Sequence, residues 1–163
     1  MDATRYFVGV AARDAVDAAV AGGYVEVNHG KAGPLERMHD GDALVYYSPR
    51  TGERGAALQA FTAIARIVGD VLYQAGAAGD TLRPFRRGAI YASVQPAPIK
   101  PLVDSLDFIR AKLHWGTALR YGFVQISSAD FQRISCAMEC DAHPPFALAS
   151  PASVLPAAVA AGG

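Results

Sequence analysis

Three short stretches carry side chains suited to meeting a ligand. Asn28-His29-Gly30-Lys31 sets an imidazole, a glycine and an ammonium in succession, offering donors to an anion or a base edge. The same residues also suit an ordinary polar turn. Tyr46-Tyr47-Ser48-Pro49-Arg50 closes an apolar run. Adjacent residues of a strand point to opposite sides, so one tyrosine enters the core and the other faces a cleft or solvent. Ser48 and the backbone beside Pro49 then supply small polar groups at a rim; the plainer alternative is a strand ending in a proline turn. His114-Trp115-Gly116 holds the only tryptophan, near Arg110 and Lys112. Such a ring serves as a stacking platform, where base–aromatic stacking is worth about 1–3 kcal/mol per base, or covers a core from outside.

The familiar signatures of enzymes are missing. No G-x-G-x-x-G, P-loop, H-E-x-x-H or G-x-S-x-G occurs. Cys136, Cys140 and His143 fall close together, but a structural metal needs about four ligands and no fourth is evident. The reading therefore expects no catalytic residue, no cofactor and no metal. If the chain is an enzyme after all, acting on nucleic acid or a small nucleotide-like molecule, His29 with Lys31 is the candidate pair.

Around these stretches the elements read as a mixed series. Arg5–Val10 has strand length, and Asp14–Val20 reads as a helix stopped by Gly22-Gly23. Tyr24–Val27 alternates as a short strand, and Pro34–His39 suits one helical turn. Ala43–Tyr47 is a strand stopping at Ser48-Pro49. Gln59–Val68 is another, continued by Val71–Tyr73 after a turn at Gly69-Asp70. Ala89–Val94 and Tyr121–Ile126 are strands, Leu102–Leu106 is a helical turn, and a helix capped by Ser127 or Ser128 runs to Met138. Five or six strands with short helices between them predict a mixed α+β fold, a curved mixed sheet or small β-barrel flanked by helices. The domain is expected over residues 1–140. The Ala- and Pro-rich stretch 141–163 is expected to be a flexible tail.

The chain of 163 residues is 52% apolar and 18% charged, which excludes disorder for the chain as a whole. No apolar run is long enough to cross a bilayer, and no signal peptide is apparent, so no membrane contact and a cytoplasmic setting are expected. Net charge is zero, which argues against coating nucleic acid by bulk electrostatics. Between Arg83 and Arg120, however, Arg83, Arg86, Arg87, Lys100, Arg110, Lys112 and Arg120 face only Asp104 and Asp107. That imbalance is either a basic face or solvated surface charge.

Taken together, the segments resemble the EVE-domain family, a PUA-like branch related to the YTH readers of methylated adenine. The matching pieces are Tyr6–Val10, His29–Lys31, Tyr46–Arg50, Leu58–Ile64, Phe85–Arg87, Pro98–Leu102, Phe108–Gly116 and Phe131, in the family's order. The resemblance implies a PUA-like fold and a non-catalytic module that flips a modified base of DNA or RNA into a pocket. It implies that His29, Gly30 and Lys31 line that pocket, with Tyr47, Ser48 and Pro49 opposite and Trp115 and Gly116 from the loop after Lys112. Arg86 and Arg87 are the implied phosphate contacts. One departure stands out: relatives often carry a serine just after the first strand, where this chain has Ala11-Ala12.

Overall fold

The computed structural model describes residues 3–138. Its strands are β1 (Tyr6–Val10), β2 (Tyr24–Val25), β3 (Ala43–Arg50), β4 (Ala57–Gln74), β5 (Phe85–Tyr91), β6 (Ala97–Pro98) and β7 (Phe123–Ile126). The helices are α1 (Arg13–Gly22), α2 (Ala32–Glu36) and α3 (Ser128–Met138), with 3-10 turns at Asn28–Gly30, Lys100–Ser105 and Lys112–Leu119. One sheet runs in the order β2-β5-β4-β3-β1-β7, and β6 adds to β4. Only β1 and β3 are parallel; the other pairings are antiparallel.

The 18-residue β4 is the spine: its first half pairs with β3 and its second with β5. Register shifts fall between Tyr46 and Tyr47, between Ser48 and Arg50, and between Ile67 and Leu72. Such bulges bend a strand and increase its twist, so the sheet curves. It does not close: β2 and β7 are the two ends of the path. The mixed α+β, PUA-like curved sheet is thus as expected, and the barrel alternative is corrected to an open sheet.

Several boundaries also differ from expectation: β5 runs Phe85–Tyr91 rather than Ala89–Val94, because pairing with β4 resumes at Leu72–Gln74, and Ala97–Pro98 pairs with β4 as a short strand. β3 continues through Pro49, because that residue lies within the second register shift, where a ring without an N–H removes no ladder bond. Gly69-Asp70 bends β4 instead of turning it. Gly69 takes a positive φ of 74°, and Leu72 pairs again with β5. The segment 141–163 and Cys140 lie outside the described residues.

Both faces of the sheet are covered. Val8, Val45, Tyr47, Phe61 and Ile64 face a core completed by Val103, Leu106 and Ile109 and by Phe131, Ile134 and Met138 of α3. Phe7, Leu44, Tyr46, Ala63 and Ile67 face the other, with Val16 of α1 and Leu35 and Met38. Asp130, in the first turn of α3, accepts from the backbone N–H groups of Asp107 and Phe108 at 2.8 and 2.9 Å. That carboxylate pins the segment leading to Trp115 onto α3.

Candidate functional site

A hollow of about 470 Å³ opens where β1 hands the chain to α1. That size falls within the roughly 300–1,000 Å³ of small-molecule sites. Val10, Ala11 and Ala12 form one wall, and Asp14, Ala15 and Ala18 of α1 another. Tyr24, Glu26, Asn28, His29, Tyr46, Glu53 and Arg86 complete it. The alanines leave room that larger side chains would occupy, and polar groups come from Tyr24–His29 and Arg86 on one side and from Asp14 and Glu53 on the other.

Hydrogen bonds fix this polar wall. The Tyr46 hydroxyl donates to the Glu26 carbonyl at 2.8 Å and accepts from the Glu26 N–H at 3.0 Å. The Tyr91 hydroxyl donates to the Tyr24 carbonyl at 2.7 Å. Loss of solvent at Tyr46 and Tyr91 pushes both hydroxyls well above the usual phenol range, so both are neutral donors. The Arg86 guanidinium lies 3.9 Å from the centroid of the Tyr24 ring, and its Nε donates to Glu26 Oε1 at 2.9 Å. Arg86 is thereby held over the Tyr24 ring, while its two terminal nitrogens have no hydrogen-bond partner among the described residues.

The turn carrying His29 is strained. Asn28, His29 and Gly30 take positive φ angles of 49°, 57° and 84° in succession. The left-handed region is costly for residues with a Cβ, and such outliers gather at binding sites. Packing holds the turn from both ends. A Cβ at Gly30 would stand 2.4 Å from Pro84 Cβ, and one at Gly122 would stand 2.1 Å from Asn28 Oδ1. Both contacts require glycine.

The structure disperses the residues that the sequence grouped. His29 and Arg86 meet on the hollow. Gly30 is buried beneath Pro84, and Lys31 is exposed beyond the wall, so His29 and Lys31 do not face one cavity. Both tyrosines of the pair are buried, Tyr46 at 1% and Tyr47 at 4% exposure, and the one that reaches the hollow is Tyr46. Tyr47 sits in the opposite core, where burial pushes its hydroxyl up to about 12. Ser48 is buried rather than at a rim; its hydroxyl lies 2.8 Å from that of Thr62. Pro49 is half-buried in β3.

Arg86 and Arg87 do not act as a pair. Arg87 is 4% exposed, and its guanidinium donates to the carbonyls of Leu35, Met38 and Gly69. It fastens α2 to the bend of β4 and offers nothing to a phosphate. The basic stretch thins further at Lys112, whose Nζ donates to the carbonyls of Val103 and Leu106 at 2.9 and 2.8 Å.

Trp115 stands apart from the hollow. It packs against the Tyr47 core, its ring edge-on to Tyr47 at 6.3 Å and 82°. A shallower depression of about 200 Å³ lies beside it, lined by Phe108, Ile109, Ala111 and His114 among others. Gly116, in the same 3-10 turn, is exposed. Sequence reasoning missed Tyr24, Glu26 and Tyr46 as wall residues. The alternation of Tyr24-Val25-Glu26-Val27 carries the signal, since it puts Tyr24 and Glu26 on one side. Among the described residues no cluster of three or more His, Cys, Asp or Glu is placed to hold a metal. Cys136 is an exposed free thiol, and His143 lies outside the described residues. No helix among the described residues is long and apolar enough to cross a membrane.

An open, curved mixed sheet with short helices and a hollow at the end of its first strand defines the chain as a PUA-like domain. The EVE-domain model matches residues 5–137, and the chain belongs to the EVE-domain family. The UPF0310 protein msl3206 of Mesorhizobium japonicum is 45% identical over 138 residues, covering 83% of this chain and 92% of the relative. UPF0310 protein YdcG of Bacillus subtilis is 34% identical over 136 residues, with the same two coverages. Among solved structures, the crystal structure of protein Atu2648 from Agrobacterium tumefaciens aligns with a TM-score of 0.53 at 16% identity. It covers 87% of this chain and 97% of that one. At that identity the likeness speaks for the fold alone.

Proposed function

We propose that this domain is a non-catalytic reader that takes a modified nucleobase of DNA or RNA, turned out of its strand, into the hollow between β1, α1 and β5. The Arg86–Tyr24 stack on the hollow's wall carries the reading. An extruded base has flat apolar faces and polar edges, and needs both planar surfaces and a few placed donors and acceptors. Arg86 supplies a guanidinium with two terminal nitrogens whose N–H groups are unused, and Glu26, Asp14 and Glu53 supply acceptors. His29, exposed on its strained turn, supplies an imidazole at the edge. The small walls at Ala11, Ala12, Ala15 and Ala18 leave space for a ring and its substituent.

The test is fluorescence anisotropy with end-labelled oligonucleotides carrying 5-methylcytosine, 5-hydroxymethylcytosine or N6-methyladenine beside unmodified controls. A label is needed because Trp115 is not on the hollow. Preference for one modified strand, recovered unchanged in mass after incubation, supports the reading. Binding blind to modification, or a strand of altered mass, refutes it.

A further inference from the structure

The rim of the hollow continues into the β4–β5 loop. Pro84 abuts Gly30, so the segments His29–Lys31 and Leu82–Arg86 meet there. The loop is held by its own bonds. Ala75 N–H donates to the Pro84 carbonyl at 2.8 Å, Gln74 Nε2 to the Arg83 carbonyl at 2.8 Å, and Ala77 N–H to Asp80 Oδ2 at 2.6 Å. On this loop Leu82 is 81% exposed, with exposed Arg83 beside it and exposed Lys31 across the Pro84–Gly30 contact. Neither cation has a salt-bridge partner among the described residues. Elsewhere on the hollow the charges balance: the Asp14 carboxylate sits at the Gly52-Glu53 turn, where a Cβ on Gly52 would be 3.0 Å from it, and exposed Arg50 and Arg54 flank that turn. The excess of positive charge is on the Lys31–Arg83 side, where a phosphodiester strand is admitted.

We infer that the hollow's ligand is a duplex, gripped at the phosphates by Lys31 and Arg83 and held open by Leu82 inserted where the extruded base was stacked. Proteins that unstack a duplex insert apolar side chains between base steps and grip the neighbouring phosphates with cations. Chain geometry puts Leu82 Cα within about 16 Å of His29 Cα through the Pro84–Gly30 contact. That is fewer than about five base steps of 3.4 Å, so hollow and wedge address one site on one duplex. A lone exposed leucine is unremarkable by itself. Its placement next to Arg83, with Lys31 across the Pro84–Gly30 contact, on a loop stiffened by its own bonds and joined to the wall of the hollow, is what assigns the role.

This inference rests on the base-reading proposal, and the test separates the two. Each modified strand of the panel is titrated alone and annealed to its complement, with the parent, Leu82→Ala, the double variant Lys31→Ala/Arg83→Ala, and Ala15→Phe, which fills the hollow. The parent is expected to prefer duplex. Leu82→Ala should weaken duplex binding by about tenfold or more and leave single strands within twofold. All the substituted side chains are exposed, so folding is preserved, as a melting curve will check. The double variant should lower the slope of log K against log salt by roughly two. If Ala15→Phe abolishes binding while Leu82→Ala changes neither form, the hollow stands and the wedge is overturned. If the parent binds neither form, the base-reading proposal fails and the wedge falls with it.

Discussion

Replacing Arg86 and Arg87 one at a time by methionine should give opposite phenotypes from neighbouring residues of β5. Methionine keeps most of the apolar stem and removes the donors. At Arg87 the loss strands the carbonyls of Leu35, Met38 and Gly69 in a buried setting. Hydrogen bonds from a charged donor are worth about 1.5–3 kcal/mol each. Relief of the arginine's own burial, including an Nε with no partner, offsets part of the sum. A net loss of about 3–4 kcal/mol follows, or about 9–12 °C at roughly 3 °C per kcal/mol for a chain of this size. At Arg86 the loss is one half-exposed ion pair with Glu26 and the stack on Tyr24, together about 1 kcal/mol and about 3 °C. Thermal unfolding followed by circular dichroism reads both. Oligonucleotide anisotropy should show Arg86→Met losing binding by about tenfold or more and Arg87→Met, well below its melting temperature, binding as the parent does. Equal melting temperatures for the two variants, or an Arg87→Met that melts with the parent, would refute the division of roles.

Helix α1 starts at Ala12 with no side-chain cap. The donors a cap would serve are already taken, Asp14 N–H by the Thr51 carbonyl at 3.0 Å and Ala15 N–H by Asp14 Oδ1 at 2.7 Å. Ala12→Ser should therefore move stability by less than about 0.5 kcal/mol in a denaturant titration and, because Ala12 lines the hollow, change the preference among modified strands. Trp115→Ala should cost about 2–3 kcal/mol through the lost packing on Tyr47, with strand binding unchanged within twofold, since the ring is outside the hollow. Tyr46, Tyr47 and Tyr91 have hydroxyls raised above the unfolded value near 10. Below pH 10 they are neutral in both states and their contribution is intact. As pH rises from 10 through about 12 the unfolded chain releases protons that the folded one keeps, so stability falls. Urea midpoints between pH 9 and 12 should show that decline, and Tyr47→Phe should flatten part of it.

Strands β1, β3 and β4, helices α1 and α3 and the mixed α+β class were legible in the sequence because apolar runs and turn residues are local signals; the two-residue β6 and the sheet's failure to close depend on long-range pairing and were not. The grouping at the site was not, for two physical reasons. Alternation tells which side chains share a face, but Leu44, Val45, Tyr46 and Tyr47 are all buried because both faces carry a core. With no solvent face to orient the pattern, nothing local distinguishes Tyr46 from Tyr47. The arginines pose the same problem at longer range. Arg87 is buried because carbonyls 52, 49 and 18 positions away converge on it, and Arg86 is open because Tyr24 and Glu26 pair with it from β2 and its continuation. His29 stands among polar residues that draw attention to it in the sequence, and it lines the hollow, but its left-handed backbone depends on Pro84 and Gly122, which are distant in sequence.

Filling the hollow decides whether the base enters it. Ala15 lies on the exposed side of α1 and lines the hollow, so Ala15→Phe occupies it without touching either core. Anisotropy titration of the preferred modified strand should give binding for the parent and none for Ala15→Phe at the same concentrations, with the two proteins melting within about 2 °C of each other. Undiminished, modification-selective binding by a folded Ala15→Phe would contradict the account and place the base elsewhere on the domain.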